Sequence, residues 1–268
     1  MVDYAALKKK TLYLLDLDGT LYLDEQIFDG AAEFVDLVKS RGGRCLYLTN
    51  NSSKGAEDYV AKLNRLGIAA QREDFLTSVD ALVAHLRKAS LADKLFYVFG
   101  TQSFKNQLRA EGFRLSEDRD AAIDVLLVGF DTELTFQKLE DACILLGRGV
   151  EYIATNPDWV CPTWYGSVPD CGSVCEMLFR ATGRRPYVIG KPRPDMVLLA
   201  MEYAGAAAEE SVLIGDRLYT DIACGVNAGI DTVLVLSGET KEEDLRSSEV
   251  QPACVMENIG EYLELLKK

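Results

Sequence analysis

Leu12-Tyr13-Leu14-Leu15-Asp16-Leu17-Asp18-Gly19-Thr20 is the stretch on which the fold turns. Four apolar residues in a row suit a strand buried on both faces, as a parallel sheet requires. The run then delivers two aspartates at i and i+2, followed by a glycine. Charge at the carboxyl end of a central strand falls where open α/β sheets keep their ligand crevices. A carboxylate buried alone is costly, so a pair there calls for a cation or dense hydrogen bonding. A surface turn of the Asp-x-Asp-Gly kind would explain the same letters without chemistry.

Working outward, short β-branched or leucine-rich runs alternate with amphipathic helical patterns along the whole chain. Strands are expected at 12–17, 44–48, 95–99, 125–130, 152–155, 186–189, 212–214 and 232–236. Ala31, Phe34, Val35 and Val38 form one helix stripe, and Met196, Leu199, Ala200 and Tyr203 another. The expected class is α/β, a Rossmann-like, mostly parallel sheet covered by helices.

Composition narrows the function. The 268 residues are 48% hydrophobic and 26% charged, which is ordinary globular usage and not that of a disordered or fibrous chain. No apolar run approaches the ~18 residues of a membrane span. A net charge of −13 is opposite to the footprint of a backbone-neutralising nucleic-acid binder. The start, with Lys8, Lys9 and Lys10 ahead of an acid-containing strand and no small-residue cleavage site, does not resemble a signal peptide. Seven cysteines, an odd number, are expected as reduced thiols in a cytoplasmic protein. Cys161, Cys171 and Cys175 lack the paired spacing of a zinc site. With His85 the sole histidine, a multi-histidine metal centre is excluded.

Three further strand ends carry polar groups. The run 44–48 leads into Thr49-Asn50-Asn51-Ser52-Ser53 at a helix start, a setting for an anion, or simply for a helix cap. Val188-Ile189-Gly190-Lys191-Pro192 delivers one lysine without the pattern of a Walker phosphate loop. Leu213-Ile214-Gly215-Asp216-Arg217-Leu218-Tyr219-Thr220-Asp221 again ends a buried strand in acids. Together they describe one crevice with hard oxygen ligands, a fixed cation and anion-binding amides, a donor set that suits Mg²⁺.

In these four motifs, their order and their strand contexts, the chain resembles the haloacid dehalogenase superfamily of aspartate-nucleophile phosphatases. Leu-Thr-Asn-Asn-Ser-Ser, Gly-Lys-Pro and Gly-Asp-Arg-Leu-x-Thr-Asp-Ile are most similar to its branch of NagD-type, 4-nitrophenyl and pyridoxal phosphate phosphatases. The resemblance implies Asp16 as nucleophile and Asp18, held by Thr20, as general acid and base. It implies Mg²⁺ on the Asp16 carboxylate, the Asp18 carbonyl and Asp216, with Asp221 behind them. Thr49, Asn50 and Lys191 would hold phosphoryl oxygens.

Spacing locates a second domain. Only 31 positions separate Asp18 from Thr49, whereas 142 separate Thr49 from Lys191, far beyond the about 30 residues of a βα unit. The expected division is a core of 1–90 and 187–268 with an inserted α/β cap at 91–186, similar to the family's C2 cap. Asn51, Asp158, Trp159 and Arg217 are candidate substrate contacts, the stretch 156–165 holding both tryptophans. The expected activity is Mg²⁺-dependent hydrolysis of small phosphorylated metabolites, such as nucleotide, sugar or vitamin phosphates, with neither nucleic acid nor membrane as partner and a homodimer as the open oligomeric option. The competing reading is a receiver-like phospho-ligand module without turnover.

Overall fold

The computed structural model describes residues 4–163 and 165–268, so Trp164 and residues 1–3 of the N-terminal reading lie outside the described residues. The chain forms two compact units, one of residues up to 49 with 56–76 and 191–268, the other of 50–55 and 77–190.

The first unit is built on a six-stranded sheet in the order Cys254–Met256, Asp231–Val235, Ser211–Gly215, Leu12–Leu15, Arg44–Thr49, Phe75–Thr77. Leu12–Leu15, buried at every position, lies in the interior and pairs in parallel with Ser211–Gly215 on one side and Arg44–Thr49 on the other. Leu12 is level with both Ser211 and Arg44, so these three parallel strands begin at the same height and their carboxyl ends fall within two residues of one another. That shared register sets residues 16, 49 and 216 along one edge of the sheet.

Helix Ala31–Ser40 buries the expected stripe of Ala31, Phe34, Val35 and Val38. Phe34 meets Tyr13 edge-on, a geometry favoured by ring quadrupoles, and Tyr262 at a tilt. The other expected stripe is rotated. Helix Asp195–Ala204 buries Met196, Val197 and Ala200, while Tyr203 is exposed and lies under the Arg44 guanidinium, 4.4 Å from its ring centroid. An amphipathic ring can satisfy the same spacing by covering a cation at the surface. The edge strands Phe75–Thr77 and Cys254–Met256, three residues each, were not expected from the sequence, being too short to show a period.

The second unit has its own five-stranded sheet, ordered Tyr187–Val188, Glu151–Ala154, Val125–Val128, Leu95–Phe99, Arg114–Leu115, with parallel pairing throughout. Helices Phe136–Gly147 and Cys171–Thr182 pack against it and against each other. Helix Ser78–Lys88 goes with this unit, so its long segment begins at Thr77, ahead of position 91. The reason is local packing: Arg87 reaches over the Phe113 ring and pairs with Glu111 at 2.7 Å, and the helix lies against Gln102–Ala110. Beyond the irregular residues 156–159, Val160–Thr163 pairs antiparallel with Gly166–Pro169. Cys171 and Cys175 are buried one helical turn apart, and all seven cysteines are free thiols. No helix among the described residues is long and apolar enough to cross a membrane.

Candidate active site

The backbone brings the acids of the first unit together. Asp16 N donates to Ile214 O, extending the parallel ladder one residue past the strand and holding the Asp16 backbone in line with Ser211–Gly215. Asp216 follows that strand directly. Asp221 sits on the wide helical turn Leu218–Ile222, where the Arg217 carbonyl accepts from the N–H groups of both Asp221 and Ile222. Such π-type turns are rare and recur at functional sites. Gly215 makes the approach feasible, because a Cβ there would lie 2.3 Å from the Asp221 Cβ. As a result, carboxylate oxygens of Asp16, Asp216 and Asp221 all lie within 4.8 Å of one another.

Lys191 is the counter-charge. Its buried ammonium donates to Asp16 Oδ1 at 2.6 Å, to Asp221 Oδ1 at 2.5 Å and to the Leu48 carbonyl at 3.2 Å. Burial alone would favour the neutral amine, yet the Asp16 and Asp221 carboxylates outweigh it and raise the Lys191 pKa. One ammonium does not neutralise three acids. Burial first, and the Asp221 charge second, push the Asp16 carboxyl up to about 7 against the pull of Lys191. Burial and the charges of Asp16 and Asp221 drive Asp216 well above the ordinary carboxylate range, with Arg217 and the Glu239 N–H opposing.

This electrostatic frustration is what a divalent cation relieves. Asp216 Oδ2 accepts from Glu239 N at 2.6 Å, while Asp216 Oδ1 is buried with no hydrogen-bond partner among the described residues. An orphaned buried carboxylate oxygen beside two further carboxylates is a hard-oxygen donor set of the kind that binds Mg²⁺. An Asp221 oxygen belongs to the same cluster as those of Asp16 and Asp216. Gly238 and Gly19 leave room for Asp216, since a Cβ at either would fall 2.0 Å or 2.5 Å from its Oδ2.

The other sequence-derived residues fall in distinct places. The Asp18 side chain is partly exposed and 3.8 Å from Lys62 Nζ. The Thr20 hydroxyl, expected to hold Asp18, lies 3.5 Å from Asp16 Oδ2. Thr49 is buried at the end of its strand. In the second unit Asn50 donates to Asp158 Oδ2 at 2.9 Å, and Asn156 donates to the same oxygen at 2.8 Å, so Asp158 is a buried acceptor. Asn51 folds back to accept from Ser53 N and Oγ, a local turn. Trp159 is half exposed, and Arg217 pairs with Glu239 at 2.7 Å. Sequence reasoning missed Gly238, Glu239 and Lys62. A signal existed for the first two, because they follow Asp231–Val235, the parallel neighbour of Ser211–Gly215.

The parallel-sheet fold, with acids clustered at its strand ends, is that of the HAD-fold phosphatases. The haloacid dehalogenase-like hydrolase family matches residues 13–114, and the related HAD-hydrolase-like family matches 188–262. An acid sugar phosphatase of Staphylococcus saprophyticus is 33% identical over 98% of this chain and all of its own length. Among solved structures, a 4-nitrophenylphosphatase from Thermotoga maritima superimposes with a TM-score of 0.91 at 40% identity, covering 97% of this chain and 99% of that one. A glycerol phosphate phosphatase from Mycobacterium tuberculosis, in complex with magnesium, gives a TM-score of 0.88 at 30% identity over 97% of this chain and 77% of its own. The chain belongs to the haloacid dehalogenase-like hydrolases and is a phosphatase acting on phosphoric monoesters.

Proposed function

We propose that the chain hydrolyses small phosphorylated metabolites through an aspartyl phosphate on Asp16, with Mg²⁺ as cofactor. The observation that carries this reading is the convergence of Asp16, Asp216 and Asp221 on one point with the Lys191 ammonium bonded to two of them. An Asp16 oxygen attacks phosphorus, and the alcohol leaves as Asp18 gives it a proton. Asp18 then takes a proton from water, which attacks the acyl phosphate and frees Asp16 and inorganic phosphate. Lys191 orients the nucleophile and, with Thr49 and the Asn50 that follows it, offers donors to the phosphoryl oxygens. Asp16, Asp216 and the Asp18 carbonyl would hold the metal ion, with Asp221 beside them; when bound, it neutralises phosphoryl charge.

The names of the relatives point to sugar or polyol phosphates as the substrate class, with nucleotide and vitamin phosphates in the same size range and 4-nitrophenyl phosphate as the practical assay. We read the second unit as the family's C2-type cap and the setting as cytoplasmic, which the seven free thiols support. A receiver-like module has no use for a leaving-group acid such as Asp18.

Replacing Asp16 by Asn is expected to abolish turnover of 4-nitrophenyl phosphate while the variant melts like the parent. Acid quenching of the parent during turnover should leave one phosphate on the chain, and hydride reduction should convert Asp16 to homoserine. Parent-level turnover by Asp16→Asn would refute the nucleophile, and a label on another residue would move it.

A further inference from the structure

Lys62 lies outside every motif recognised in the sequence, yet it meets the partly exposed acid Asp18. It projects from helix Ala56–Arg65, with its ammonium 3.8 Å from Asp18 Oδ1 and 3.8 Å from the centroid of the Tyr22 ring. The ring is completely buried and its backbone is tied to the Asp18 turn, for Gly19 N donates to the Tyr22 carbonyl at 2.8 Å and Asp18 bridges Tyr22. Arg65, three residues on, is taken by Glu25. Lys62 is itself only 18% exposed, unusual for a lysine on an amphipathic helix flank. An ammonium resting on an immobile aromatic face is attracted to it and loses much of its freedom.

We propose that Lys62 is a positioning residue for Asp18: the Tyr22 ring fixes the ammonium, and the ammonium fixes the direction of the Asp18 carboxyl during proton delivery to the departing alcohol. This rests on Asp18 being the general acid. The separation of 3.8 Å is too long for a hydrogen bond, so Lys62 guides the carboxyl by charge. A lysine that merely covered an apolar ring would affect stability and all substrates alike.

The two roles separate on leaving-group chemistry. A nitrophenolate departs without help, a benzyl alkoxide needs a proton, and phenoxide lies between, so a misplaced acid penalises them in that order. The experiment measures alcohol release in the first turnover of 4-nitrophenyl, phenyl and benzyl phosphate by the full chain with Mg²⁺, for Lys62→Met, Lys62→Gln and Lys62→Arg, with Asp18→Asn beside them. Lys62→Met and Lys62→Gln are expected to lose about tenfold or more on benzyl phosphate and less than about threefold on 4-nitrophenyl phosphate, with Lys62→Arg restoring most of the difference. Equal losses on all three esters, or none on benzyl phosphate, overturn the proposal. If Asp18→Asn shows the graded loss and the neutral Lys62 variants do not, only the role of Lys62 falls. If Asp18→Asn shows no gradation, the general-acid reading fails and this proposal with it. Having two neutral variants guards against one that does not fold.

Discussion

The Lys191 ammonium stands 2.6 Å from Asp16 Oδ1, although the two residues are 175 positions apart in the chain. Asp16 is thus bonded by a cation that comes from the far side of a long stretch of chain.

Lys191→Met should therefore cost both activity and stability. Removing one partner of a buried ion pair typically costs about 3–5 kcal/mol, because the remaining charge is left uncompensated. Asp16→Asn removes charge from an over-acidic cluster and should leave stability equal or higher, though equally inactive. Urea unfolding of the two variants at neutral pH without added Mg²⁺ distinguishes them. A Lys191→Met protein as stable as the parent would show that the ion pair adds nothing.

Mg²⁺ should raise the melting temperature, since a ligand that binds only the folded chain adds about 2.7 kcal/mol at a hundredfold excess over its Kd. In Asp216→Asn, which neutralises the acid bearing the orphaned oxygen, the Mg²⁺-dependent increment should shrink to a small fraction of that. Calorimetry with and without chelator checks this independently of turnover.

Gly238→Ala adds one methyl group where the nearest atom, Asp216 Oδ2, is 2.0 Å away. Because real Cβ atoms do not approach so closely, either the carboxylate or the chain at Gly238 must shift. An activity loss of about a hundredfold or more is expected, as an ångström of misplacement costs on that order. Circular dichroism should show the fold retained. Full activity would mean that Asp216 has room to move without consequence.

In the second unit, Asp141 supplies a pH dependence distinct from catalysis. Burial works against its carboxylate, but hydrogen bonds from Tyr97, Gln137 and Arg119, each 2.8 Å long, outweigh that and hold its pKa below the usual carboxylate range. Such a group adds stability above its unfolded pKa and loses it as pH falls through the lower, folded value. Asp141→Asn should cost about 1–3 kcal/mol near neutrality. The gap between parent and variant should close as the solution is acidified below the ordinary carboxylate range. A gap independent of pH in urea titrations would assign the effect to packing.

Much of this arrangement was legible in the chain before any coordinates. The apolar run ending in Asp16 and Asp18 announced a buried strand with charge at its end, and Asp216 followed an equally clear one, whereas Lys191 follows only the two-residue, partly exposed Tyr187–Val188. These signals are local, because burial on both faces dictates an unbroken apolar run and a charged terminus then stands out. The three-residue edge strands and the rotation of the helix Asp195–Ala204 were not legible, since short segments carry no period and Tyr203 satisfies a core pattern while shielding Arg44. Gly238 was silent for a different reason: a glycine's lack of a side chain matters only once a neighbour is known.

By itself, then, the amino-acid order determined the class of fold and the phosphatase family, because the apolar runs and the polar groups at their ends are encoded in consecutive residues. Only the tertiary structure decided which oxygens meet. Asp221 joins Asp16 and Asp216 within one cluster, Thr20 turns to Asp16, Asp158 is drawn to Asn50, and Lys62 finds Asp18. Those outcomes depend on strand register and on the course of a single wide turn, quantities set by packing among distant segments that no local pattern of residues expresses.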